Sequence, residues 1–515
     1  MAPRAFDADL NSESSAGLGA GADLRREPGA ALGQEAVIRE RRLGSLLAYA
    51  GSSGELARLG DLNPPGCCRD NTFNQCGDCS SQRAMLPISQ IRDSAMVNHA
   101  PLGCSADFPE FNQSHRRGLK VTGRPPEDIR AISTNLLEKD LVMGGGAKLA
   151  AAVDEAYRRF SPKAIFVTAS CASGVIGDDI EEVTRSAERR LGIPVVPIYC
   201  EGFKSMVWTT GFDAGYHGIA RKLVRPPRRR RDDVINVFNF SNIRAFDAVL
   251  AKMGLTPRYL VHQASVDELA EISEAAASAH ICETLGTYMA ASLERLYGVP
   301  EVRCPPPYGI EWTDRWVREL GKITGREELA EKAIASEKER VMPELERLRS
   351  GLRGLRVYAF GGAAFCHNML AAARDLDLEI AGMTGFHHDM TYDNGAEEIK
   401  SIKNIHGLTG GIGKVTVCNK QPYQLVKILR EIRPDVILSR HGNLPVQAVK
   451  LGIPTFFAGD ANMAGGYDGV VALGKKTLLA LSGRNFVRNI AAHARFPYTG
   501  WWMRGKDPFL FRRAV

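Results

Sequence analysis

Seven short runs of β-branched and aromatic residues, set between stretches of helical period, constrain this chain more than any other feature. Ala164–Ala169 (AIFVTA), Ile193–Tyr199 (IPVVPIY), Val234–Phe240 (VINVFNF), Arg258–His262 (RYLVH), Leu355–Phe360 (LRVYAF), Leu378–Met383 (LEIAGM) and Asp435–Ser439 (DVILS) have the length and makeup of buried strands. Between them, Tyr423–Ile432 repeats Leu425, Ile428, Leu429 and Ile432 at the helical period, and Ser265 with Glu268 has the pattern of a capping box. Strands alternating with helices form parallel sheets covered by helices. With 515 residues there is room for about three domains of ordinary size. The connection PPRRRRDD at 226–233 and a charged helix expected over about 329–350 are the natural breaks. The expected fold class is therefore α/β: three Rossmann-like doubly wound domains with parallel sheets, over 41–230, 231–350 and 351–515. Residues 1–40, rich in Ala, Gly, Glu and Arg without periodicity, predict a mobile N-terminal extension.

Composition excludes several classes. Hydrophobic residues make up 44% and charged residues 24%, and no apolar run approaches the roughly 20 residues a membrane span needs, so the chain reads as a soluble globular protein. The net charge of +7 is partly local to the four arginines of PPRRRRDD, where no aromatic platform accompanies them, so a solvated connection is expected rather than a nucleic-acid patch. Neither FGGAAFCHN after Leu355–Phe360 nor GGIGKV at Gly410–Val415 satisfies a dinucleotide or P-loop pattern, so this chain is expected to bind no nucleotide.

Five of the eleven cysteines fall between Gly66 and Cys104. Disulfide frameworks belong to short secreted chains, and the opening lacks a charged segment followed by an apolar core, so a reducing, cytoplasmic setting is expected. There, clustered thiols are metal ligands or redox groups, because the thiolate is a soft donor. Cys76 and Cys79 form C-x-x-C, a spacing shared by zinc knuckles, redox motifs and cluster ligands. Gly103 before Cys104 permits a tight loop against a large inorganic group. Cys171 falls at the carboxyl end of an expected strand, where open α/β sheets bind ligands.

PLGC ending at Cys104, SCASGVIGDDI around Cys171 and CEGF at Cys200–Phe203, in this order, resemble the α-type subunits of nitrogenase component 1 and its relatives. The resemblance covers nearly the whole folded chain. It implies an α2β2 complex with a homologous β-type subunit and electrons from a transient ATP-hydrolysing iron protein carrying a 4Fe-4S cluster. It further implies a P-cluster-type 8Fe-7S cluster shared between the subunits, with Cys79, Cys104 and Cys171 as this chain's ligands. Cys79 is preferred to Cys76 by its distance from Cys104, which leaves Cys67, Cys68 and Cys76 without an assigned role. CETLGTYMAASLERLYGVP, beginning at Cys282, matches the segment whose cysteine binds a terminal iron of the catalytic cofactor. The implied group is a large iron-sulfur cofactor, of the carbide-containing kind, its heterometal open. Cys200, Cys304, Cys366 and Cys418 are expected to be core residues.

Departures from the pattern shape the expected chemistry. GYDG is present at Gly466–Gly469, yet PTFFAGDANMAG before it contains no histidine to bind the far end of such a cofactor. Family arginines beside the cofactor fall on Asn112 and Ala364 here, and SRHGN offers no clear lysine counterpart. His217 in GYHGI matches a family histidine that passes protons or positions substrate, for which an imidazole is suited. His387 and His388 in GFHHDM are candidates for the missing ligand, and His441 is a weaker one. Among relatives that keep the cofactor cysteine and lose the histidine, the pattern is most similar to methylthio-alkane reductases. That resemblance implies reductive C–S cleavage of small thioethers such as dimethyl sulfide or 2-methylthioethanol, with release of methanethiol. The rival readings are a nitrogenase with an unusual cofactor, a tetrapyrrole reductase and a cofactor-assembly scaffold; retention of Cys282 weighs against the tetrapyrrole enzymes.

Overall fold

The computed structural model describes residues 32–62, 79–239, 244–418, 422–440, 444–458 and 464–500. They form three sheets dominated by parallel pairing, with helices packed on them. The first sheet has the order β3-β2-β4-β5, from β2 (Ser94–His99), β3 (Ala131–Ser133), β4 (Ala164–Ala169) and β5 (Val195–Ile198), all parallel. Strands β2, β4 and β5 are buried on both faces, β3 at the edge only partly, and the alternation shows how. Ala95, Val97, Ile165, Val167 and Val195 pack into one apolar cluster with Leu149, Val153 and Ala187 of the helices Gly146–Phe160 and Ile180–Leu191. Met96, Phe166, Val196 and Ile198 point the other way, into the main core. A period of two that is apolar at both phases is the signature of a sheet sandwiched between helices.

The second sheet is β7-β6-β8, from β6 (Arg231–Asn239), β7 (Thr256–Val261) and β8 (Ala275–His280), again parallel. The third has the order β1-β11-β10-β9-β12-β13, from β9 (Arg356–Gly361), β10 (Glu379–Gly385), β11 (Val415–Cys418), β12 (Val436–Ser439) and β13 (Thr455–Phe457). Its outer strand β1 (Ala48–Gly51) runs antiparallel to β11, pairing Ala48 with Cys418 and Gly51 with Val415. The helix expected near 329–350 spans Glu327–Leu352 and buries Ala333, Val341, Leu345, Leu348 and Leu352 along one face. Ser265 and Glu268 close their expected reciprocal cap, with Glu268 N donating to Ser265 Oγ at 3.1 Å.

Within the expected N-terminal extension, Leu32 is buried and Arg39 is only 1% exposed, while Gly33, Gln34, Glu35 and Val37 are exposed. In the arginine-rich connection Arg228, Arg229, Arg230, Asp232 and Asp233 are exposed; Arg230 donates to the Ser273 carbonyl at 2.8 Å and to that of Tyr297, and Arg231 already belongs to β6.

Candidate functional site

Each of three cysteines is delivered to the carboxyl edge of the first sheet by a different element. Cys104 lies in the tight turn Leu102–Ser105 that follows β2, where its N–H donates to the Pro101 carbonyl at 3.0 Å. Cys171 opens the short helix Cys171–Ile176 directly after β4, with Ser170 as its cap. Cys79 caps the helix Ser80–Ser89 and holds Gln82 Oε1 on its backbone N–H at 2.9 Å. That helix lies flush on the helix Thr210–Lys222 because Gly211 has no side chain: a Cβ there would stand 1.9 Å from the Ser80 carbonyl oxygen.

Gly202, in the loop after β5, reports how close the thiols are. A Cβ at Gly202 would lie 3.3 Å from Cys79 Cβ, 3.5 Å from Cys79 Sγ and 3.4 Å from Cys171 Sγ. Cys104 joins the group, its thiol pushed up first by burial and then by the neighbouring charges of Cys79 and Cys171. None of the three cysteines is in a disulfide; Cys171 is exposed, Cys79 and Cys104 half-buried. Exposed apolar side chains surround them, including Leu102, Val175, Phe203 and Met206. Among the described residues no three His, Cys, Asp or Glu side chains converge on a point for a single metal ion. Soft donors spread along an open edge suit a multi-iron cluster capped from outside this chain better than one ion. Cys200, Cys304 and Cys366 are buried, as core residues would be, and Cys366 Sγ donates to the Thr384 carbonyl at 3.3 Å. Cys67, Cys68, Cys76 and His441 lie outside the described residues, as does the Cys418 side chain.

The second group centres on Cys282, which follows β8 and caps the helix Glu283–Tyr297; the helix ends at Gly298 in a left-handed conformation. The thiol is buried, which pushes it up, and the guanidinium of Arg440 opposes the shift. Arg39 and Tyr216 in turn feel the charge of Cys282. Next to it, burial raises the Glu283 carboxyl to about 8, and neither carboxyl oxygen meets hydrogen-bond geometry. The Tyr216 hydroxyl and both ring nitrogens of His387 are also buried without a hydrogen-bond partner. Buried polar groups are almost always satisfied, so the Glu283 carboxyl and Tyr216 hydroxyl within electrostatic reach of the buried thiol fit a polar or ionic group held there.

Arg39 is the residue that sequence reasoning missed. Its Nε and Nη2 grip both oxygens of Asp213 at 2.7 Å, Nη1 reaches Asp389 at 2.9 Å, and Nη2 also donates to the Thr284 carbonyl at 2.5 Å. Arg42 adds contacts to Asp213 and Asp393. Family-matched Asn112 is instead bound to the surface loop at Asp128 and Ile129. The positive charge acting on the Cys282 thiol comes from Arg440, within SRHGN, while Arg39 lies at a position no motif marks.

The histidines separate. His387 lies 3.7 Å from Asp389 through Nε2, beyond hydrogen-bond length, with Trp208 edge-on to its ring. His388 is pinned by its backbone, which exchanges two hydrogen bonds with Leu46, and burial lowers its imidazole to about 4. His217 is fully engaged: Nε2–H donates to the Gly33 carbonyl at 2.8 Å, so Nδ1 accepts from the Tyr288 hydroxyl at 2.6 Å. Tyr288 is six residues beyond Cys282 on one helix, a rise of roughly 9 Å along its axis. In GYDG, Tyr467 is bonded to Asp314 at 2.7 Å.

Neutral buried histidines make the fold acid-sensitive. His388 and His115 are both lowered to about 4, whereas the unfolded chain takes up these protons near pH 6.5. Between those values the unfolded state binds more protons, so stability is full above about pH 6.5 and is lost as pH falls toward 4. We expect the denaturant midpoint to fall through that window and the fall to be shallower in His388→Asn, as measured by unfolding at a series of pH values.

Comparison with known proteins places the chain in a family and a fold. The family model for nitrogenase component 1 type oxidoreductase matches residues 79–481. The nitrogenase iron-molybdenum cofactor biosynthesis protein NifE of Methanococcus maripaludis is 27% identical over 406 residues, covering 76% of this chain and 81% of the relative. The nitrogenase molybdenum-iron protein alpha chain of Methanothermobacter thermautotrophicus is 30% identical over 409 residues, covering 76% and 82%. Among solved structures, nitrogenase Cp1 at pH 6.5 superposes with a TM-score of 0.68 at 20% identity, over 85% of this chain and 93% of that one.

Proposed function

This chain belongs to the nitrogenase component 1 type oxidoreductase family, whose members bind iron-sulfur clusters and work in complexes with homologous subunits and an iron protein, and on that premise we propose that it is the catalytic α-type subunit of a reductase cleaving C–S bonds in small thioethers. The observation that carries the reading is the pairing of two thiol sites of opposite exposure. Cys79, Cys104 and Cys171 lie at an open edge rimmed by apolar side chains, while Cys282 is buried among unsatisfied polar groups. In this reading the open site holds half of the 8Fe-7S cluster, is closed by the β-type subunit and receives electrons from the iron protein; Cys282 anchors the catalytic iron-sulfur cofactor.

When bound, that cofactor supplies low-potential electrons at iron that a soft thioether sulfur can ligate. The overall conversion takes two electrons and two protons: R–S–CH3 becomes R–H and CH3SH. The chain's residues hold and shield this chemistry. Cys282 would hold the cofactor, and His387, whose Nε2 lies 3.7 Å from Asp389 and makes no hydrogen bond within ordinary length, is the better of the two histidines for a second ligand. Arg440 presents positive charge to the Cys282 thiol, whereas the charge of Arg39 is already taken up by Asp213 and Asp389. His217 is bonded to Tyr288, whose hydroxyl donates to Nδ1; delivery of a proton by this pair would require Nδ1 to be protonated so that it donates to Tyr288 and the tyrosine hydroxyl turns outward.

Relatives of both kinds give a second reading some support, since NifE proteins match as well as alpha chains do. A scaffold would bind a precursor cluster at Cys282 and hand it on. The deciding experiment supplies the purified complex with its iron protein, ATP and reductant, then measures methanethiol from dimethyl sulfide or 2-methylthioethanol beside ammonia from dinitrogen. Sustained methanethiol release is the expected result. Ammonia without methanethiol overturns the substrate assignment. Absence of turnover, with cluster transfer to an apo acceptor, establishes the scaffold instead.

A further inference from the structure

One guanidinium joins all three sheets at the Cys282 pocket. Asp213 stands on the helix Thr210–Lys222 that follows the first sheet, Thr284 on the helix Glu283–Tyr297 that follows the second, and Asp389 in the loop after β10 of the third. Arg39 bonds to all of them. Thr284 is two residues beyond Cys282, and Asp389 two beyond His387. Around Arg39, the segment from Ile38 to Gly51 lies across the same seam: Ser45 donates to Asp389, Leu46 exchanges backbone hydrogen bonds with His388, and β1 pairs with β11. Asp213 and Asp389 have almost no exposure, so their charges require this cation.

We propose that Arg39 is the positioning residue of the Cys282 site, stapling the turn after Cys282 to the His387 loop so that thiol and imidazole face one group at a fixed separation. This rests on the reading that Cys282 anchors a cluster. Nothing in the local sequence of a segment outside the family-matched region would assign it such a role. The arrangement is specific to Arg39: neighbouring Arg42 shares Asp213 but bonds neither Thr284 nor Asp389. A lysine could keep a buried charge on one carboxylate, yet its single nitrogen cannot span three partners in three directions.

The test uses the full complex with its partner subunit and compares Arg39→Met, Arg39→Lys, Arg42→Met and Cys282→Ala by bound iron, by the EPR signal that Cys282→Ala removes, and by amide exchange of residues 282–286 and 386–393 in the unloaded protein. For both Arg39 variants, the expected result is faster exchange in both segments and about 10- to 100-fold weaker retention of the Cys282-dependent iron, with the interface cluster intact; Arg42→Met keeps that iron. Arg39→Lys, which retains the charge, serves should Arg39→Met not accumulate. Wild-type iron and exchange in Arg39→Lys overturn the inference, as does equal loss in Arg42→Met. If Cys282→Ala holds as much iron as the wild type, the cluster reading itself falls, a result distinct from either.

Discussion

Cys282→Ala is expected to leave the complex folded and its interface cluster loaded, while bound iron drops to what that cluster alone accounts for and one EPR signal disappears. The reasoning is geometric. The thiol sits at the amino end of a helix, buried, with Arg440 acting on it, Arg39 and Tyr216 feeling its charge, and the unsatisfied carboxyl of Glu283 adjacent in the chain. Loss of an outer-shell partner alone costs about 10- to 100-fold in metal affinity or activity, so removal of the anchoring sulfur should cost more than about 100-fold. The folded chain itself loses little. Replacing one buried sulfur by hydrogen removes packing worth about 1 kcal/mol, so the melting temperature of the unloaded protein should hardly move. Metal analysis and EPR on the anaerobically purified complex check both halves. Iron unchanged by the substitution would return the pocket to an organic substrate.

The second large effect is expected at the open edge. Cys171 is exposed, so Cys171→Ala should change the stability of the isolated chain by no more than about 0.5 kcal/mol. Electron delivery should nevertheless fail, because one of three thiols that share the edge is gone while Cys282-dependent iron stays in place. Gly202→Val tests the same site without touching a sulfur. A Cβ there already stands 3.4 Å from Cys171 Sγ and 3.5 Å from Cys79 Sγ; the added methyl groups occupy space in which a cluster bound to both sulfurs would lie. Loss of the interface-cluster signal and of iron-protein-driven turnover in both variants is the expected outcome. A Gly202→Val complex with full interface iron would move the cluster away from Cys79 and Cys171.

Both effects follow from elements that were legible in different degrees. The strand runs at 164–169 and 355–360 are buried strands in the structure because an apolar, β-branched segment bounded by turns has few other stable fates. Strand β8, AAASAH, escaped notice. Alanine favours helices in isolation, and only the close packing of the helix Glu283–Tyr297 makes a strand of small residues favourable there. Strand β1 escaped for another reason: four residues at the sheet's edge gain their stability from β11, more than 360 positions away. His217 and the His387–His388 pair were visible as residue types. Which nitrogens are free was not, since the Gly33 carbonyl and the Tyr288 hydroxyl reach His217 from separate segments.

The sequence by itself determined the α/β class, the family and the positions of the four thiols, because each is written in contiguous residues: a strand, a turn glycine, a cysteine and a helix start. Only the tertiary structure decided which groups surround them. Convergence of Cys79, Cys104 and Cys171 depends on three elements ending at one sheet edge, and the cation at the Cys282 pocket comes from Arg39, 243 positions before it. Local propensity acts over a few residues, whereas burial of a charge is settled by whatever carboxylates the fold brings within reach. For Arg39 those are Asp213, on the helix Thr210–Lys222, and Asp389, in the loop after β10.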